Sequence, residues 1–371
     1  MRILELTNYS SGGCGVYARV KQEAEMFAKR GNEVMILSSN LDKGSNKIVA
    51  SEDKIGDIQI FRYPATKLGG ESFMLWLKGE AFKKALEFNP DIIIAHNYRH
   101  PHTTKALTLC DNVSLKNKPK HCKIFLVTHA PFVEGNITRT KLQTFLVDSY
   151  DKFIGRWNIN KFDKILAISH WEIPSLLALG AEKERIVYSP NGIPEEFFTL
   201  PTQSKEENKI LFLGRVAPKK RLQDLIACIP YLKDKDIKIE IVGPQEEEYF
   251  QMIKGLDKTG RVTFSPAIYD LKEKIKKIDS CRIFVLPSRV EGMPQSLVEG
   301  LVRNRTCIGS DSIAIRDIIQ DNRNGYLFEF DNPVSLAGKI NYALEHPLSG
   351  RASVRKFNWN ILIEKMEALW K

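Results

Sequence analysis

The chain has 371 residues, 43% hydrophobic and 27% charged, which is the balance of a globular protein and enough length for two domains that each bury a core. No apolar run approaches the roughly 18 residues of a membrane span, and the opening MRILELTN lacks the apolar core of a secretion signal, so the expected compartment is the cytosol. The net charge of +10 admits phosphate-bearing substrates, an anionic membrane surface or nucleic acid as partners.

The positive excess sits mainly in residues 1–190, where 27 Lys and Arg face 20 Asp and Glu. It is densest at Lys116, Lys118, Lys120 and Lys123, a run without aromatic residues, which reads as a solvated loop and argues against a nucleic-acid surface. The six cysteines have no metal-ligand spacing. Buried, reduced thiols and no metal site are therefore expected.

In chain order, Ile3, Leu4 and Leu6 predict a buried first strand. Gly12, Gly13 and Gly15 then let the backbone approach a ligand, and a helix from Val16 to Arg30 is closed by Gly31. Gly13, Gly15 and Ala18 also spell G-x-G-x-x-A. The next strand, 33–37, runs into Ser38, Ser39 and Asn40 with no acid to take a ribose hydroxyl, so a dinucleotide cofactor is not expected.

Strands over 91–95 and 123–127 lead to His96 and His129, each placed at a strand's carboxyl edge. His96 reads as a half-buried histidine bonded to a loop. Residues 132–157 carry Phe145, Leu146, Tyr150, Phe153 and Trp157 between Lys141, Lys152 and Arg156. A core-packed amphipathic helix is the favoured account, with an acceptor or membrane face as the alternative. Residues 164–169 read as the last strand of this half, and the run from Arg185 leads into Pro190, Asn191, Gly192 and Ile193.

The second half opens with a strand over 209–213. Gly214 and Arg215 follow, then Lys219, Lys220 and Arg221 before a helix over 222–228, so several cations gather near a helix start, as a diphosphate requires. A strand over 237–242 turns at Gly243, and another spans 263–267. The apolar run Ile283–Leu286 reads as a doubly buried strand leading into Glu291, Gly292, Met293 and Pro294. Pro294 suits the first position of a helix in which Leu297, Val298, Leu301 and Val302 form the apolar stripe. Gln295, Ser296, Glu299 and Arg303 fall on the opposite, polar face, where an exposed Glu299–Arg303 pair is one reading.

Glu291 and Glu299 are separated by seven residues. Within EGMPQSLVEG they resemble the EX7E signature of glycosyltransferase family 4. GRVAPKK resembles that family's phosphate-gripping element, with Arg221 where the element has Gly. THAPF, PNGI (with Pro194 in place of the usual Asp) and NGYLF resemble further landmarks in family order.

The resemblance implies an α/β fold of two Rossmann-like doubly wound domains facing across a cleft (GT-B). It places an acceptor-side domain at 1–190, a donor domain at 191–356, and a helix, 357–371, packing back on the first domain. It implies a retaining, metal-independent transfer of sugar from a nucleoside diphosphate, UDP or GDP, to an acceptor hydroxyl on a glycan or lipid-linked molecule, with no other cofactor. His129, Glu291, Arg215 and Lys220 would be catalytic. Gly12, Gly13, Gly15, His96, Asn191, Gly214, Gly243, Gly292, Met293, Pro294, Gln295, Ser296 and Glu299 would bind substrate, with Glu291 on the donor sugar and Glu299 on the ribose. Peripheral contact with an anionic inner membrane face fits the basic first half. A non-transferring, epimerase-like GT-B enzyme, a silent scaffolding subunit and a nucleic-acid binder are the competing readings.

Overall fold

The computed structural model describes residues 1–45, 47–67, 73–116, 121–132 and 140–370. Lys118 and Lys120 of the basic run lie outside the described residues, as do residues 133–139 and Lys371. The described chain divides into two units, residues 1–132, 140–191 and 359–370 in one, and 192–358 in the other.

The first unit is built on β1 (Arg2–Tyr9), β2 (Glu33–Ser39), β3 (Glu52–Ile55) and β4 (Ile58–Tyr63). A small hairpin follows, β5 (Thr66–Lys67) against β6 (Met74–Leu75), and then come β7 (Ile92–His96), β8 (Lys123–Val127), β9 (Lys164–Ala167) and β10 (Ile186–Tyr188). The main sheet has the order β10-β9-β8-β7-β1-β2-β4-β3. Its pairs are parallel except β3 against β4. Strands such as Ile92–His96 are buried throughout, because crossover helices cover both faces of a parallel sheet. The strand order reverses between β1 and β7, where α/β sheets of this kind bind ligands at the carboxyl edge.

Three expectations change in this unit. Residues 164–169 are not its last strand, because Ile186–Tyr188 adds one more edge; three half-buried residues are too few to show a period. His96 is fully buried instead of half-buried. Of the described residues in the segment expected to be a core-packed helix, Phe132 and Tyr150 pack on the core, but the helix Lys141–Tyr150, the π-helical turn Asp151–Gly155 and the short helix Arg156–Asn158 leave Phe145, Phe153 and Trp157 open to solvent. An amphipathic pattern specifies an apolar face but not whether anything covers it.

The C-terminal helix Trp359–Ala368 belongs to the first unit. Trp359 Nε1 donates to Gln22 Oε1 at 2.9 Å, Arg30 donates to Glu364 and Glu367, and Trp370 packs on Phe27.

The second unit is a parallel sheet of β11 (Glu207–Leu213), β12 (Lys238–Val242), β13 (Val262–Ser265), β14 (Cys281–Leu286), β15 (Thr306–Ser310) and β16 (Tyr326–Phe328), in the order β13-β12-β11-β14-β15-β16. The reversal falls between β11 and β14, so the loops after these strands share one edge. At that edge Gly243 cannot carry a side chain, since a Cβ there would lie 1.9 Å from the Gly214 carbonyl oxygen.

The helix Gln295–Val302 has no solvated polar face. Glu299 is 2% exposed and Arg303 is also buried. They are not partners: Arg303 forks onto Asp279 at 2.8 and 2.7 Å and caps three carbonyls, while Glu299 accepts from Lys274. Helical spacing allows an i, i+4 pair, but here other elements supply nearer and buried partners. All six cysteines are free thiols, five of them buried.

Candidate functional site

In the second unit the loops after β11 and β14 meet. Arg289 N–H donates to the Lys219 carbonyl at 2.9 Å, and the Lys220 ammonium is ion-paired with Glu291. The two side chains are 13% and 12% exposed, so the pair is sheltered without being sealed. Arg215 is exposed beside Gly214.

Arg221 is withdrawn from this cluster. It forks onto Asp224 at 2.9 Å, pairs with Asp331 and lies over Phe330. Its φ of +53° is the left-handed conformation that glycine adopts without strain, so this arginine occupies a glycine-like backbone.

The helix that follows, Leu222–Ala227, is only six residues long, and its first N–H is taken by the Tyr249 hydroxyl at 2.9 Å. Any attraction for an anion at this edge therefore comes from side-chain cations, with little from the helix dipole, which grows with aligned peptides. The N–H of Gln295 is likewise engaged, donating to the Met293 carbonyl at 2.9 Å, so it is not an open donor for an anion. Glu299 accepts from Lys274 Nζ at 2.6 Å through Oε1, while its buried Oε2 has no hydrogen-bond partner among the described residues. A buried carboxylate oxygen without a partner is costly unless a ligand donor reaches it.

In the first unit a polar chain runs through the core at the carboxyl edge of β1 and β7. Glu5, buried between Leu4 and Leu6, is 2.7 Å from His96 Nε2, and His96 Nδ1 is 2.9 Å from His129 Nε2. His129 is partly exposed, so the chain leads from the interior to the surface. Burial, then Glu23, raises Glu5 well above the usual carboxylate range, while burial first holds His96 and His129 well below the usual imidazole range.

The coupling has a chemical consequence. If Glu5 is ionised, His96 donates to it through Nε2–H and accepts from His129 Nε2–H, leaving His129 Nδ1 an acceptor. If Glu5 holds its proton, every step reverses and His129 Nδ1 becomes a donor. His129 and its neighbour Ala130 both have positive φ, +57° and +52°, and Asn97 and Arg99 do too, which concentrates backbone strain at this edge.

Arg19 links this chain to the junction. It donates to Glu23 at 3.1 Å, to the Ser189 carbonyl at 2.7 Å and to Asn191 Oδ1 at 3.3 Å. Glu5, Glu23 and His96 bring ligand atoms within 4.8 Å of one another, but the Arg19 charge already sits on Glu23 and opposes a cation there.

The glycine loop is exposed, and Gly12, at φ +79°, is fixed by packing, since a Cβ would lie 2.5 Å from the Lys43 carbonyl oxygen. Gly15 begins the helix Gly15–Lys29 with open space around it.

Sequence reasoning missed Glu5, Arg19, Glu23 and Lys274. An acid inside the apolar run Ile3–Leu6, and two charges at i, i+4 on the buried stripe of the first helix, were the available signals. Lys274 had none, because its role depends on which helix lies beside Glu299.

Family models match almost end to end: "Glycosyltransferase Family 4" over residues 13–197 and "Glycosyl transferases group 1" over 195–358. The N-acetyl-alpha-D-glucosaminyl L-malate synthase of Bacillus anthracis is 25% identical over 349 residues, 90% of this chain and 84% of the relative. Among solved structures, sucrose-phosphate synthase from Thermosynechococcus elongatus has a TM-score of 0.74 at 16% identity, covering 100% of this chain and 98% of that one. Anabaena HepE in complex with UDP and glucose has a TM-score of 0.71 at 15% identity, covering 99% and 98%. With two Rossmann-like sheets and both family models matched, the chain belongs to the group 1, family 4 glycosyltransferases of GT-B fold, retaining enzymes that take their sugar from a nucleoside diphosphate.

Proposed function

We propose that the second unit holds the donor and the first unit presents the acceptor. The observation that carries this reading is the meeting of the cationic loop after β11 with the acidic loop after β14, through the Lys220–Glu291 ion pair at the strand-order reversal. Arg215 and Lys220 take the diphosphate. Glu291, released from Lys220 as phosphate arrives, turns to hydroxyls of the donor sugar, and Glu299 receives a ribose hydroxyl on Oε2. Gly214, Gly243, Gly292, Met293, Pro294 and Ser296 shape the backbone around the nucleotide. In the first unit Gly12, Gly13, Gly15 and Asn191 border the substrate, and His129 contacts the transferred sugar with Glu5 and His96 positioning its ring.

During transfer the bond from the anomeric carbon to the diphosphate breaks and a bond to the acceptor oxygen forms on the same face of the sugar, while the acceptor's O–H bond breaks and its proton leaves on the departing diphosphate. The barrier is mainly charge separation, so cations fixed before the reaction lower it without reorganisation. Arg215 and Lys220 supply that charge, and the reaction as proposed needs no resident metal.

The donor nucleoside is uridine or guanosine; the binding of UDP by a protein of the same fold favours uridine. The acceptor is a glycan or lipid-linked hydroxyl, and the protein works peripherally at an anionic membrane, in keeping with the basic first half. The test is thermal denaturation against a panel of UDP- and GDP-sugars, followed by hydrolysis of the stabilising donor. One donor should raise the melting temperature of the native protein and not that of Lys220→Ala. Equal stabilisation of both proteins would refute the assignment.

A further inference from the structure

The segment 141–158 leaves large apolar groups in water. Phe145 is 66% exposed, Phe153 69% and Trp157 75%, with Leu146 and Ile154 beside them. Their spacing is interrupted by the π-helical turn Asp151–Gly155, which adds a residue to one turn and so changes the rotation between Phe145 and Trp157 from that of a regular helix.

Cations accompany the aromatics. Lys152 lies over the Phe153 ring and Lys161 over Trp157, and Lys141 and Arg156 are exposed in the same stretch. A soluble surface seldom groups three such rings. Aromatic rings interleaved with cations match the boundary between lipid headgroups and acyl chains.

The patch continues into a cavity of about 480 Å³ in the same unit. Ile154 and Tyr150 line it together with Trp76, Leu77 and Pro101. Its lining also includes His102, whose ring is held through Nε2 on the His96 carbonyl at 2.8 Å and whose buried Nδ1 has no hydrogen-bond partner among the described residues. Lys78 and Lys105 complete an amphiphilic site of apolar walls, a buried acceptor and cations.

We propose that this face, Phe145 to Trp157 with the adjoining cavity, is where the chain docks on an anionic lipid surface. Phe145, Phe153 and Trp157 enter the acyl boundary, the cations meet phosphate headgroups, and the cavity receives part of a lipid chain. The inference rests on the peripheral membrane role proposed above and names its surface. Charge complementarity selects the partner: each cation near an anionic bilayer contributes about fivefold to binding, and each aromatic ring transferred out of water about tenfold or more.

Sedimentation with phosphatidylcholine vesicles, with and without phosphatidylglycerol, tests this on the full chain. The native protein should bind the anionic vesicles, less so at high salt, and bind neutral vesicles weakly. Phe153→Ser/Trp157→Ser should lose binding by about a hundredfold or more while keeping donor stabilisation, since both rings are exposed.

Failure of the native protein to bind anionic vesicles, or equal binding by the variant, would overturn the proposal. So would a dimer in analytical ultracentrifugation that the variant dissociates, because the face would then belong to a second copy. Loss of donor stabilisation in the native protein would instead sink the donor-site reading and leave the vesicle result standing.

Discussion

Glu299→Gln isolates the charge of one carboxylate at nearly constant shape. Glu299 is 2% exposed, its Oε1 is taken by Lys274 and its Oε2 has no partner among the described residues, so one oxygen is available to a ribose hydroxyl. A hydrogen bond to a charged acceptor contributes about 1.5–3 kcal/mol and a neutral one about 0.5–1.5 kcal/mol. The amide should therefore weaken nucleoside diphosphate binding by about 1–1.5 kcal/mol, or roughly five- to tenfold.

Glu299→Ala removes the bond and leaves Lys274 without its partner, which raises the loss to about 1.5–3 kcal/mol, roughly ten- to over a hundredfold. Titration calorimetry with UDP and GDP measures both variants, and kcat should change less than KM for the donor because the ribose is remote from the breaking bond. A folded Glu299→Gln protein that binds its nucleoside diphosphate as tightly as the native chain would refute the reasoning.

Glu5→Gln should keep the fold but change the pH dependence of kcat, since an amide cannot move the proton that sets the His96 and His129 tautomers; an unchanged profile would remove Glu5 from the positioning chain. Arg303→Met leaves Asp279 buried without its counterion and should destabilise the second unit by about 3–5 kcal/mol in urea denaturation, and a loss under about 1 kcal/mol would contradict the buried pairing.

Acid should destabilise the first unit through its histidines. Burial lowers His100 to about 3 and His102 to about 4, so their contribution is present above about pH 6.5, the unfolded value, and is lost as pH falls through the folded ones. Glu172, raised to about 7 by burial, works oppositely, its contribution being present below the unfolded carboxylate value and lost as pH rises toward 7. Denaturation at pH 7.5, 6 and 4.5 should show His102→Gln less acid-sensitive than the native chain; equal slopes would refute this. Transfer should be unchanged by saturating EDTA, and activity lost to EDTA and restored by magnesium would contradict catalysis by fixed cations.

Much of this protein was legible before folding was considered. Apolar runs such as Ile92–Ile94 and Ile283–Leu286 announce doubly buried parallel strands, and the glycines at strand ends mark the turns that bring a backbone to a ligand. The cationic loop Arg215–Arg221 and the spacing of Glu291 and Glu299 are likewise local patterns. Both are set by neighbours along the chain, which is why strand positions and the candidate residues could be named from them.

Partners across the fold could not be read in that way. Whether Glu299 meets Arg303 or Lys274 depends on a helix more than twenty residues earlier in the chain, Leu271–Asp279. The Glu5–His96–His129 chain needs three parallel strands in register. The aromatic helix 141–158 shows the same limit from the other side, since its sequence specifies an apolar face and only packing decides that the face stays open. Local sequence determined the elements and the chemistry available at their ends. Burial, which brings charges from distant elements into a low-dielectric interior and makes their pairing obligatory, decided which groups act together.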